Sequence, residues 1–295
     1  MKKIIIEVRP NENTMRHENP NVPWTPREIA QDAAECREAG AALIHVHGRT
    51  PSGAPDSRPE THAEIVAGIR ERCDLLVAPP LPGAAGASPD ERPAGAGGAA
   101  GDPRTRPDFL VVDMGCANMD LYDPVSRSYA SDGRSLANDV TTIGRLLGTA
   151  RELGMAPYLT TFNVSWTRTI AAFLHMGAVD LPALVGIVLG GPAFTAAHPG
   201  TPAGLRAQLD FLPGGCEWTV CTYLGDVLEV AETVIDRGGH LSIGLGDHPH
   251  TRLGRPTNAE LVHRVAELAR ARGREVATPE EARRMLGLPL RRSER

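Results

Sequence analysis

Eight short apolar runs recur along the chain, separated by stretches of helical character: Lys3 to Arg9 (KIIIEVR), Ala42 to His47 (ALIHVH), Leu75 to Pro79 (LLVAP), Phe109 to Met114 (FLVVDM), Ala156 to Phe162 (APYLTTF), Leu184 to Leu189 (LVGIVL), Glu217 to Thr222 (EWTVCT) and His240 to Leu245 (HLSIGL). Each is too short for a core helix and reads as a strand. Between them, Thr25, Pro26 and Glu28 give an N-cap, a first-turn proline and an early carboxylate, opening a helix that Gly40 ends. Similar helical readings cover Thr61 to Arg72, Leu136 to Glu152, Thr167 to Met176, Ala203 to Phe211, Val227 to Arg237 and Asn258 to Arg272. Eight strands alternating with helices are the pattern of an α/β protein with a closed (β/α)8 sheet, the TIM barrel, because parallel neighbours need a crossover between them.

An open doubly wound sheet is the rival arrangement. The first run argues against it, since it leads into PNENTMRHENPNVPWTP and not into a G-x-G-x-x-G turn that opens a helix. No change of composition marks a second domain, so residues 1–295 read as one barrel domain. Within it, residues 82–107 form an irregular connection rich in Gly and Pro, and Thr278 to Glu281 carries the capping pattern of a short C-terminal helix.

Composition removes several classes of function. With 31 Lys and Arg against 36 Asp and Glu, the formal charge of -5 offers no electrostatic case for nucleic acid or an anionic membrane. No apolar run has the length of a spanning helix, and MKKIIIEVRPNEN lacks the features of a secretory signal, so the expected compartment is the cytoplasm. Cys36, Cys73, Cys116, Cys216 and Cys221 are scattered and odd in number, which indicates neither a disulfide framework nor a zinc ribbon.

Chemistry concentrates where the second run ends. His45 and His47 are two residues apart and share one face of a strand, opposite Ile44 and Val46. If that face is the barrel interior, both imidazoles stand at the active-site mouth, where they suit a divalent ion such as zinc. A catalytic zinc needs a third protein ligand. The exit of the eighth run, GGHLSIGLGDHPHTRLGRPTN, is adjacent to the first strand in a closed barrel and supplies Asp247 and His248; the first strand supplies Glu7. Glu7, Asp247 and His248 are therefore the candidate third ligands, with Asp247 equally a candidate general base. Arg9 shares the parity of Glu7 and is a candidate to bind substrate, as is Arg49, whose planar donor fork suits a carboxylate. Other strand ends add Asp113, Cys116 and Asn118, then Tyr158 and Thr160, while Gly190 and Gly191 in VLGGP offer amides for an anion or carbonyl oxygen.

The blocks NPNVPWTPREIAQDAAECREAGAALIHVHGR, VVDMGCANMD, GIVLGGP, GGHLSIGLGD and PTNAELVHRVAELARARGREVATPEEARRMLG, taken together, resemble the β-keto acid cleavage enzymes nearly end to end. The resemblance implies a zinc-bearing TIM barrel, homo-oligomeric and often tetrameric, that transfers the acetyl portion of a β-keto acid to an acyl-CoA and releases acetoacetate and a new thioester. It implies that His45 and His47 are the zinc histidines and that Asp247 is the aspartate of proton transfer. The family's third ligand, a glutamate, falls on Gly246, and the arginine that partners the aspartate falls on Ser242. A glutamate pair on the fifth strand becomes Tyr158 and Thr160, and a serine and threonine at the end of the third give way to APPLPG. The polar catalytic residue of the opening loop lies near Asn13, with Glu12 adjacent; if Asp247 ligates the metal, Glu12 is the alternative proton acceptor. Two other functions remain open at this stage: a metal-dependent aldolase, hydrolase or decarboxylase of an oxoacid without CoA, and a barrel that binds small molecules without catalysis.

Overall fold

The computed structural model describes residues 2–80, 102, 104–130, 133 and 135–289. Its main sheet holds eight parallel strands: β1 (Ile6–Val8), β2 (Leu43–Ile44), β3 (Leu76–Val77), β4 (Phe109–Asp113), β5 (Ala156–Thr161), β6 (Leu184–Gly190), β7 (Glu217–Tyr223) and β8 (His240–Ile243). Pairing runs β3-β2-β1-β8-β7-β6-β5-β4, so the last strand lies against the first, with Glu7 opposite Ser242. The remaining seam, between β3 and β4, is stitched by Asp108: its amide donates to the Val77 carbonyl at 2.9 Å, and its Oδ2 accepts the Val77 amide at 2.9 Å. The chain is a (β/α)8 TIM barrel.

Alternation along the strands divides the apolar residues into two cores. Ile6, Val8, Ile44, Val46, Val77, Leu110, Val112 and Leu241 face outward and pack with helix residues such as Ile29, Ala33, Leu261 and Val265. Ile5, Leu43, Leu76, Phe109, Val111, Tyr158 and Leu184 face inward. Ala282 and Leu286, within and just after the C-terminal helix, join this inner set at the strands' N-terminal end. Polar inward residues are thereby left to the opposite end of the barrel.

The eight helices among the described residues are α1 (Pro26–Ala39), α2 (Pro59–Arg72), α3 (Val140–Glu152), α4 (Val164–His175), α5 (Pro202–Leu209), α6 (Ala231–Asp236), α7 (Asn258–Ala271) and α8 (Pro279–Met285). Capping boxes open α1 (Thr25 with Glu28), α7 (Thr257 with Glu260) and α8 (Thr278 with Glu281), each cap being worth about 1 kcal/mol. In α7 the buried residues Leu261, Val262, Val265, Ala266 and Ala269 follow the helical period, which fixes the face turned to the strands. No helix among the described residues is long and apolar enough to cross a membrane.

Local expectations needed adjustment. The helix expected from Leu136 begins at Val140, where the Asp139 side chain accepts the Thr142 amide, and Leu136 belongs to a small antiparallel pair, Ala117–Asn118 with Ser135–Leu136. A second pair, Leu121–Asp123 with Ser128–Ala130, extends the same excursion after β4. The helix expected over 227–237 is a 3-10 turn at Val227–Glu229 followed by α6. Most of the irregular connection expected at 82–107 lies outside the described residues.

Candidate metal centre

His45 continues the β2 ladder by donating its amide to the Val8 carbonyl at 2.9 Å, so its side chain keeps the inward parity of Leu43. His47 is fixed by Asn11, a fully buried residue whose Oδ1 accepts the His47 amide at 3.1 Å and whose Nδ2 donates to the His47 carbonyl at 2.9 Å. The two Nε2 atoms approach to 3.1 Å. The group brought beside them is Glu12, whose Oε2 lies 3.5 Å from His47 Nε2. One ligand atom from each of Glu12, His45 and His47 falls within 4.8 Å of the others.

The donor set suits a divalent ion. Two atoms each about 2.1 Å from a tetrahedral zinc are separated by about 3.4 Å, close to the 3.1 and 3.5 Å found here. Burial, reinforced by Arg9 and His47, pushes the His45 ring well down from its ordinary range, which favours the neutral form that a metal ligand requires. Burial opposes ionisation of Glu12, yet His47 and Arg9 outweigh it and hold the carboxyl well below the usual range. Two imidazoles and a carboxylate are a donor set of the catalytic type, which leaves a fourth position of a tetrahedral ion unclaimed by these three residues.

Glu12 reaches this position through a close backbone approach. The amide of Gly246 donates to the Arg9 carbonyl at 2.7 Å and the Asn13 amide donates to the Gly246 carbonyl at 2.6 Å. A Cβ at Gly246 would stand 2.7 Å from the Arg9 oxygen and 2.9 Å from the Glu12 nitrogen. The β1 exit loop thus occupies the space where a side chain from position 246 would begin.

Asp247 stands behind this group. Its Oδ2 accepts from Arg9 Nε at 2.9 Å, while Oδ1 is buried with no hydrogen-bond partner. Burial pushes its carboxyl upward against the pull of Arg9. Arg9 remains charged despite its own burial because Asp247, Glu12 and Glu7 surround it. Asn13 has a buried, unpartnered Nδ2, and its Oδ1 faces the Tyr223 hydroxyl at 3.3 Å. The Asp247 carboxylate thus has one unpartnered oxygen, and Asn13, next to Glu12 in the β1 exit loop, one unpartnered amide donor.

Other expected residues are placed differently. Glu7 is buried inside the barrel and accepts from the Tyr158 hydroxyl at 2.7 Å, with Ser242 beside it, so Tyr158 and Glu7 form a link across the interior. Glu7 is not among the residues grouped with the histidines, and His248 groups with Asp226 and His250 instead. Arg49 was expected at a substrate carboxylate. Its guanidinium is engaged by the carbonyls of Asn11 (2.6 Å), Gly53 (3.0 Å) and Glu12, so it is a positioning residue for the β1 exit loop. Gly190 and Gly191 form no anion cradle, because their amides donate to the carbonyls of His198 and Tyr223 at 2.7 and 2.8 Å. Thr160 donates to Asp113, and Cys116 and Asn118 are exposed in the excursion after β4.

The profile of the beta-keto acid cleavage enzyme family matches residues 3–288. Over 293 residues the chain is 30% identical to the 3-keto-5-aminohexanoate cleavage enzyme of Fusobacterium nucleatum, covering 98% of this chain and 99% of that protein. It is 28% identical over 280 residues to the 3-oxoadipate:acetyl-CoA acetyltransferase of Cupriavidus necator, covering 93% and 90% respectively. Among solved structures, the binary complex of ObcA with oxaloacetate matches with a TM-score of 0.65 at 15% identity, over 92% of this chain and 68% of that one, a likeness of fold.

Proposed function

The chain belongs to the beta-keto acid cleavage enzyme family, and from that membership we propose that it is a zinc-dependent acyltransferase that condenses a β-keto acid with acetyl-CoA and releases acetoacetate and a new acyl-CoA. Family and ligand set together support a metal-dependent enzyme of carbon–carbon bond chemistry on oxoacids. The observation that carries the finer reading is the separation of labour between two carboxylates: Glu12 stands with His45 and His47, while Asp247 keeps an unpartnered oxygen. Acetyl-CoA as the second substrate is supported by the C. necator relative, whose name includes it.

Glu12, His45 and His47 would hold a zinc ion, which would supply Lewis acidity for activating the substrate's keto group. Asp247 Oδ1 takes a proton from the carbon between those two groups, and Arg9 orients the base through Oδ2. The resulting carbon nucleophile attacks the acetyl-CoA carbonyl and CoA thiolate leaves. Asn13 Nδ2 donates to the oxyanion that develops in this step. The thiolate then adds to the substrate's original keto carbon, the bond between that carbon and its neighbour breaks, and Asp247 returns the proton to acetoacetate.

Incubating the zinc-loaded protein with a panel of β-keto acids, with and without acetyl-CoA, tests the reading. The expected result is acetoacetate and a new thioester in equal amounts, only when acetyl-CoA is present. Turnover indifferent to CoA would eliminate the transferase and leave an oxoacid aldolase, hydrolase or decarboxylase.

A further inference from the structure

A second group of ligating side chains lies on the same end of the barrel. Asp226 follows β7, and His248 and His250 flank Pro249 after β8; one ligand atom from each falls within 4.8 Å of the others. The two rings stand edge to face with centroids 4.6 Å apart. His248 Nδ1 accepts the His250 amide at 3.1 Å, so its second ring nitrogen, Nε2, is the one left to turn elsewhere.

His250 is the informative member. Only 2% of it is exposed, and its Nδ1 has no hydrogen-bond partner. That nitrogen faces Asp226 Oδ1 at 3.7 Å, too far for a hydrogen bond. The gap is close to the roughly 3.4 Å between two ligands of one tetrahedral zinc. A buried polar atom without a partner is costly, and an ion between ring and carboxylate would satisfy the His250 nitrogen.

The loop is also built to hold this arrangement. His250 adopts left-handed backbone angles, φ 48 and ψ 38, which are uncommon for a residue other than glycine. The buried side chain of Asn19 keeps it there by donating to the carbonyls of Pro249 and Pro256, both at 3.0 Å. Asp226 is anchored independently, because its Oδ1 accepts the Leu228 amide at 2.9 Å.

We propose that Asp226, His248 and His250 form a second divalent-cation site, for a first-row transition ion of the zinc class, fastening the β7 exit to the β8 exit that presents Asp247. Two imidazoles and one carboxylate favour such an ion over magnesium or calcium and leave a position for solvent. The site shares no ligand with the one built on His45 and His47.

The test counts ions. Full-length protein stripped with a chelator, reloaded with zinc and passed through gel filtration is analysed by mass spectrometry for metal per chain. The parent is expected to hold two ions, and His248→Ala and Asp226→Asn one each. In a His45→Ala/His47→Ala background, which removes the first site, the expected count is one, falling to zero when His248→Ala is added. His248 and Asp226 are partly exposed, so these variants are expected to fold, with circular dichroism as the check. An unchanged count on both His248→Ala and Asp226→Asn overturns the second site and leaves the first untouched.

Discussion

The Arg9 guanidinium donates through Nε to Oδ2 of Asp247 at 2.9 Å, and the other oxygen of that carboxylate is buried with no partner. One oxygen is held while the other is unpaired, the arrangement required of the proposed base. Asp247→Asn keeps the size and the acceptor for Arg9 but cannot take a proton. The expected outcome is a loss of about 10²- to 10⁴-fold in kcat with metal content unchanged. Steady-state kinetics beside metal analysis check it; loss of the metal instead would show Asp247 to be a ligand.

Glu12 is expected to behave in the opposite way. Its Oε2 lies 3.5 Å from His47 Nε2 and 2.5 Å from Arg9 Nη2, so removing it leaves two imidazoles as protein ligands and an unbalanced arginine. Loss of an outer-shell partner costs roughly 10- to 100-fold in metal affinity, and Glu12→Ala should exceed that range. Competition against a zinc chelator of known affinity measures it. Affinity equal to the parent's would remove Glu12 from the ligand set.

Gly246 explains how that loop carboxylate reaches the histidines. A Cβ there would meet the Arg9 oxygen at 2.7 Å and the Glu12 nitrogen at 2.9 Å, both backbone atoms that cannot swing aside. Gly246→Ala should displace the β1 exit loop, cost about 1–3 kcal/mol of stability and weaken zinc binding through Glu12. Urea unfolding and zinc titration check both effects. An alanine variant as stable and as zinc-avid as the parent would show that the close approach is dispensable.

The barrel was legible because its signals are local: apolar runs too short for helices, caps such as Thr25 with Glu28, and a two-residue period that turns His45 and His47 inward while Ile44 and Val46 face the helices. The identity of the third candidate ligand was not, because it depends on a loop. Glu12 is delivered by contacts distant in sequence, from Arg49 to the Asn11 and Glu12 carbonyls and from Asn13 to Gly246. The same limit applies to Glu7. Its parity made it inward, but its partner, the Tyr158 hydroxyl on the opposite side of the barrel, follows only from closure. Asp226 was similarly hidden, since the meeting of the β7 and β8 exits is a tertiary fact. The sequence signal available was a pair of histidines around a proline.

Outside the site, Asp32 gives the fold a pH dependence whose sign is determined. It lies half-buried on α1, where Asn258 Nδ2 on α7 donates to its Oδ2 at 3.0 Å and the Cys36 thiol faces the same oxygen at 3.8 Å. Burial pushes its carboxyl up to about 7, with Glu35 adding to the shift and the Asn258 bond opposing it. An unfolded aspartate titrates near about 3.9, so between roughly pH 4 and pH 7 the folded chain binds more protons at this group than the unfolded chain does. Its contribution is fully favourable below the unfolded value and is lost as pH rises toward the folded one, by at most about 1.4 kcal/mol per unit. Asp32→Asn removes the titration and retains an oxygen for Asn258. Its stability relative to the parent should therefore improve steadily from pH 4 to pH 7, as read by urea unfolding at several pH values. A difference between variant and parent that stays constant over that range would mean that Asp32 ionises as freely in the folded chain as in the unfolded one.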